Sequence, residues 1–142
     1  MNPSTPNSEI AAVLETMRQG LMQQDAGMIA EAYVADATIF DLAPPLSHPF
    51  DAEELQKWLG KWAGPVKQDL RDFRLTVSGD LAVGHGLAHI SAQTQSGETA
   101  AWWMRLTVCL SRQHDRWQII HEHTSVPFHM DGSFRAAVDL EP

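Results

Sequence analysis

Cysteine is nearly absent. Cys109 stands alone in 142 residues, so no internal disulfide can form and no multi-cysteine metal site can be assembled. A lone thiol fits a reducing compartment, and a cytoplasmic location is the expectation. Basic residues are also few: ten against eighteen acids, a net charge of −8, with no cluster of Lys or Arg. Nucleic acid and anionic membrane surfaces would be repelled, so neither is expected as a partner. Long apolar runs are missing as well; none exceeds about five residues, against the roughly twenty that a bilayer-spanning helix needs. The opening MNPSTPNSEI has no basic stretch and no apolar one behind it, so no signal peptide is expected.

What is present is an ordinary globular composition, 44% hydrophobic and 20% charged, in a chain the size of one domain. The expectation is a single domain over 1–142, with a loose polar leader over 1–7 and a mixed tail over 127–142. Ile10, Val13, Leu14, Met17 and Leu21 recur at three- and four-residue steps, which predicts a first helix capped by Ser8, with Gly20 near its end. A second, short helix fits Ala26 to Val34 behind Asp25, with Ile29, Ala32 and Tyr33 on one face. Ala37 to Phe40 reads as a brief strand, and Pro44, Pro45 and Pro49 make the next stretch a loop. Asp51 caps a third helix through about Ala63. Beyond Pro65 come four long strands, Leu70–Ser78, Leu81–Gln95, Thr99–Ser111 and Arg116–Val126, joined by tight turns. Helices first and an antiparallel meander after them predict an α+β fold. A sheet of such long strands curls into a cone, and its cavity lies under the helices.

Several residues could carry chemistry in that cavity. Asp41 ends the short strand, where a carboxylate in apolar surroundings gains proton affinity and can act as acid or base. An Asx turn at a strand end is its structural alternative. His121 and His123 are two apart on the last strand and so share a face. They could line the cavity or move protons, and with His85 or His89 they could bind metal, although no fixed third ligand is visible. The odd set Trp117, Ile119, His121 and His123 is the more aromatic and is favoured as the inward face. Trp58 and Trp62 fall on one side of the third helix, while Trp102 and Trp103 must point to opposite faces of their strand. Arg105 is a charge within an apolar strand and calls for a carboxylate, Asp41 or Glu122. In Gly84-His85-Gly86 the glycines mark a bulge or a close approach. Cys109 reads as buried filler.

Three stretches resemble a known superfamily: Tyr33-Val34-Ala35-Asp36-Ala37-Thr38-Ile39-Phe40-Asp41, Arg105-Leu106-Thr107, and Arg116-Trp117-Gln118-Ile119-Ile120-His121-Glu122-His123-Thr124-Ser125-Val126-Pro127. The chain resembles the NTF2-like proteins of cystatin-like fold, in their SnoaL-like or ketosteroid-isomerase-like branch. The last stretch is also similar to the ending of the calmodulin-dependent kinase II association domain. The resemblance implies a cone of curved antiparallel sheet covered by three helices, dimeric through the outer face of the sheet. It also implies that Asp41 matches the proton-moving aspartate of ketosteroid isomerases. The oxyanion-donating tyrosine of those enzymes falls at Met17, and their second, protonated aspartate falls among Arg105 to Thr107. Steroid isomerisation is therefore not expected. The arginine that follows His-x-His in association domains is Thr124 here.

The functional expectation is an isomerase, dehydratase or cyclase without organic cofactor, acting on a small apolar or aromatic molecule. Its catalytic residues would be Asp41, His121 and His123. Met17, Trp58, Trp62, His85, Trp102, Arg105 and Glu122 would line the ligand, and no metal is expected. The alternative is a non-catalytic ligand-binding or dimerisation module.

Overall fold

The computed structural model describes residues 5–142. The expected leader thus lies partly outside the described residues, and what is described of it is already helical. Helix α1 spans Pro6–Met22, with Thr5 as its cap: Ser8 N donates to Thr5 Oγ1 at 3.1 Å, and Thr5 N donates back to Ser8 Oγ. Ser8 is therefore the third residue of a capping box rather than the cap, and Pro6 sits in the first turn, where its missing N–H is harmless. Gly20 does not end this helix. It is buried where Ile29 crosses, and a Cβ there would sit 2.6 Å from Ile29 Cγ1. Helix α2, Ala26–Ala30, is capped by Asp25 and stops short of the expected Val34. Helix α3, Ala52–Leu59, is capped by Asp51, whose carboxylate accepts from Glu53 N and Glu54 N.

Six strands form one sheet in the order β2-β1-β6-β5-β4-β3. They are β1 Tyr33–Phe40, β2 His48–Pro49, β3 Lys67–Ser78, β4 Leu81–Gln93, β5 Thr99–Gln113 and β6 Arg116–Ser125. β3 to β6 form the expected antiparallel meander. Its last turn, His114-Asp115, has both φ angles positive, the geometry that a two-residue hairpin requires. β1 runs parallel to β6, a long-range pairing that places β1 between β6 and the edge strand β2. The helices lie on the concave face. There Ile10, Ala37, Leu59, Ala88, Leu110 and Ile119 are fully buried, each large aliphatic contributing about 1.5–3 kcal/mol. Gln24 Nε2 ties the layers by donating to Leu59 O and Trp62 O, at 2.9 and 3.2 Å.

Two bulges shape the concave face. On β3 the register shifts between Arg71 and Arg74, and Asp72 takes a left-handed φ of 55°. Phe73 is thereby turned inward over β4, onto the glycines. A Cβ at Gly84 would strike the Phe73 ring, and one at Gly86 would lie 2.9 Å from Phe73 Cα. The close approach expected of this Gly-His-Gly stretch is thus present, while the bulge belongs to the neighbouring strand.

Candidate active site

The second bulge decides what the cavity contains. Leu110 faces Ile119 across β5 and β6, but the next residue, Cys109, faces His121, so Ile120 is the extra residue. On β5, Leu106, Val108 and Leu110 are buried on the concave side. Their partners on β6 are Thr124, Glu122 and Ile119. The inward face of β6 is therefore odd before the bulge, with Trp117 and Ile119, and even after it, with Glu122 and Thr124. The expectation of one odd inward face holds for the first half of the strand and fails for the histidines.

Glu122 accordingly projects into a cavity of about 550 Å³ between α1 and the sheet. Ile10, Leu14 and Met17 line it from α1, Phe73 and Leu75 from β3, and Leu106 and Val108 from β5. The Tyr33 hydroxyl donates to Glu122 Oε1 at 2.9 Å. Tyr33 is itself buried, and its ring is stacked on Phe50 with centroids 4.1 Å apart and planes 12° from parallel. This stack locks the phenol in place without a second polar partner. Part of Glu122 remains open to the cavity, but its carboxyl is surrounded mainly by protein, and that controls its proton affinity. Burial pushes its pKa up to about 7; the Tyr33 hydrogen bond pulls the other way, and the nearby Asp41 charge adds to the rise. Burial also holds the Tyr33 phenol well above its ordinary value, with the Glu122 charge contributing. At neutral pH Tyr33 is thus a donor, while Glu122 is divided between acid and base forms.

The other anticipated residues fall in three places. Met17 lines the cavity with Glu122. Asp41 does not line the cavity; its side chain is about half exposed (49%), its Oδ1 accepts from Leu42 N, and its Oδ2 is 3.5 Å from His48 Nε2. It acts on Glu122 through space rather than by contact. Trp58 and Trp62 meet edge to face at 5.8 Å, and Trp102 lies 6.5 Å from Trp62. These three indoles pack against the core and do not line the described cavity. Trp62 follows α3 rather than lying on it.

His121 and His123 stand on the opposite, convex face, against Phe40 at 4.7 and 5.3 Å. There His121 Nδ1 donates to Thr38 O at 2.7 Å. His85 and Arg105 border a separate shallow depression on the same convex face. Arg105 is exposed, and its Nε donates to Ser125 Oγ at 3.0 Å; neither carboxylate expected beside it is there, since Glu122 faces the cavity and Asp41 contacts Leu42 and His48. Cys109 shares this face and is half-buried rather than core. Among the described residues, no group of three or more His, Cys, Asp or Glu side chains is gathered as metal ligands would be.

Sequence reasoning missed Tyr33 as a site residue because Ile29, Ala32 and Tyr33 fit a helical step. No alternation gives it away either: Tyr33 and Ala37 are both buried but four residues apart, with Ala35 exposed between them and the β1–β6 register shifted over the same span.

A family profile described as a SnoaL-like domain matches residues 10–129. No protein with a curated description matches the chain. Among solved structures, an NTF2-like protein of unknown function from Pseudomonas putida KT2440 is 29% identical, with a TM-score of 0.83 over 99% of this chain and 100% of that one. A structure from Xanthomonas campestris, described as a proposed calcium/calmodulin dependent protein kinase II association domain, is 19% identical, with a TM-score of 0.72 over 86% and 88%. One from Streptomyces avermitilis, described as a proposed dehydratase of the NTF2-like family, is 14% identical, with a TM-score of 0.73 over 85% and 97%. The last two are similar in fold alone.

Proposed function

This chain belongs to the SnoaL-like domain family, and we propose that it is an isomerase- or dehydratase-type enzyme whose acid/base is Glu122. One observation carries the reading: a carboxyl held in an apolar cavity by a hydrogen bond from a buried phenol, where burial pushes its pKa up to about 7. A base with this proton affinity can remove a proton next to a carbonyl and return it at another carbon without leaving its working pH. The Tyr33 hydroxyl fixes the carboxylate's orientation, leaving Oε2 to face the substrate. Asp41, outside the cavity lining, adds through space to the rise in Glu122's proton affinity that burial causes. The reading needs no organic cofactor. The similarity in fold to a proposed dehydratase supports the reaction class but not a substrate.

The ligand we infer is a small apolar or aromatic molecule, from a wall that is mostly aliphatic and aromatic. A second copy of the chain is the inferred partner. Leu81 and Val83 are exposed on the convex face, 57% and 43%, and Leu87 and Trp103 are half-buried further along the same strands. That face also favours the alternative reading, a binding or dimerisation module without turnover. A cytoplasmic location agrees with the lone Cys109. No helix of the described residues is long and apolar enough to cross a membrane.

The test uses 2-tetralone, a ketone with acidic protons beside its carbonyl, and follows deuterium uptake from heavy water by NMR. The enzyme reading expects exchange with a pH limb near 7, lowered about 10²–10⁴-fold in Glu122→Gln while the fold is kept. Exchange that is equal in the variant would remove Glu122 from the chemistry. Binding without exchange would favour the module.

A further inference from the structure

The mouth of the cavity carries charge as well as the floor. Glu15 and Arg18 from α1 and Asp69 from β3 border it, and Arg18 is the cavity's lone cation among the described residues. That cation is already committed. Arg18 Nε donates to Glu15 Oε2 at 2.8 Å, and its Nη2 donates to Glu15 Oε1 at 2.7 Å, a two-pronged pair within one turn of helix. Its third nitrogen, Nη1, is turned along the helix to Met22 Sδ at 3.4 Å. The planar fork of an arginine is the group best suited to hold a ligand carboxylate, and here a carboxylate of the protein occupies it. Asp69 lies close enough to strengthen the hold of Arg18 on its proton, so its charge also acts at the mouth. Among the described residues that line the cavity, the charged groups outside this pair are Asp69 and Glu122, both acidic.

We propose that the Glu15–Arg18 pair sets charge specificity at this cavity, admitting uncharged or ammonium-bearing apolar molecules and turning away carboxylates. This rests on the reading of the cavity as a ligand site. It adds two specificity-determining residues and a substrate class: neutral carbonyl or hydroxyl compounds and amines, not organic acids.

The test compares three probes that share one ring system, 2-naphthol, 2-naphthylmethylamine and 2-naphthoate, by titration calorimetry at pH 7 and low salt. The wild type binds naphthol and the amine, and naphthoate about tenfold or more weakly, a gap that narrows as salt is added. In Glu15→Gln the Arg18 fork is released, and naphthoate affinity rises about three- to tenfold while naphthol stays within twofold. Arg18→Gln shifts the probes in the opposite sense, tightening the amine and weakening naphthoate further. Opposite shifts of the two charged probes, with the neutral one constant, are not produced by simple damage to the helix. Equal binding of all three probes, or variants that move every probe in one direction, would overturn the proposal and leave the ligand site standing. If none of the three binds, the ligand-site reading fails with it.

Discussion

Glu122 has opposite consequences for activity and for stability, and both can be measured on one residue. Its proton affinity in the fold is raised from an ordinary 4.5 to about 7. Its contribution to stability is therefore complete below about pH 4.5 and is lost as pH rises through about 7, because ionising it in place opposes burial. Thermal unfolding should show the protein losing on the order of 2 kcal/mol between pH 5 and pH 8, a figure reduced by the side of the carboxyl left open to the cavity. Glu122→Gln should flatten that slope; an unchanged slope would mean that the group ionises freely. Tyr33→Phe removes the hydrogen bond that favours the charged form, so the pH limb of proton exchange should move upward by about half a unit to one unit. A downward shift would mean that the hydroxyl serves the protonated form instead.

At the scale of elements, the sheet depends on one strand lying very close to another. Gly84 on β4 sits under the Phe73 ring, so Gly84→Ala should destabilise the protein by about 1–3 kcal/mol in denaturant unfolding, while Gly64→Ala, with open space around it, should be nearly neutral. Equal effects at the two sites would contradict the packing of Phe73 described above. The meander β3 to β6 was legible because its turns announce themselves: Gly79-Asp80, Ser96-Gly97-Glu98 and His114-Asp115 interrupt long alternating runs. The bulges were not. An extra residue such as Ile120 has no side-chain signature; it shows only in the partner strand, where Cys109 and Leu110 take up residues two apart. That single offset exchanged Glu122 for the histidines as cavity residues. The parallel β1–β6 pairing was equally invisible, since it joins segments about eighty-five residues apart that carry no turn between them. What the resemblance supplied was Asp41 as the proton-moving residue, and the structure leaves that side chain about half exposed and outside the cavity lining.

For the molecule as a whole, the two faces of the sheet have different roles. The concave face holds the cavity, with Glu122 hydrogen-bonded by Tyr33. The convex face exposes Leu81, Val83 and Phe40 in one sheet surface, with His121 and His123 beside them. An exposed apolar sheet face of this kind is covered when a second copy packs against it. Val83→Lys should therefore convert a dimer into a monomer in native mass spectrometry, with the cavity and its proton exchange retained. A wild type that is monomeric at micromolar concentration would contradict the assignment of this face.

The proposed chemistry depends on Glu122 titrating near neutrality inside the cavity. The most direct measurement is NMR titration of ¹³C-labelled glutamate carboxyls, with the Glu122 signal assigned by its loss in Glu122→Gln. A midpoint close to 7, moving upward in Tyr33→Phe, is the predicted result. A midpoint near 4.5 would show a solvated carboxylate and would remove the acid/base on which the proposed chemistry depends.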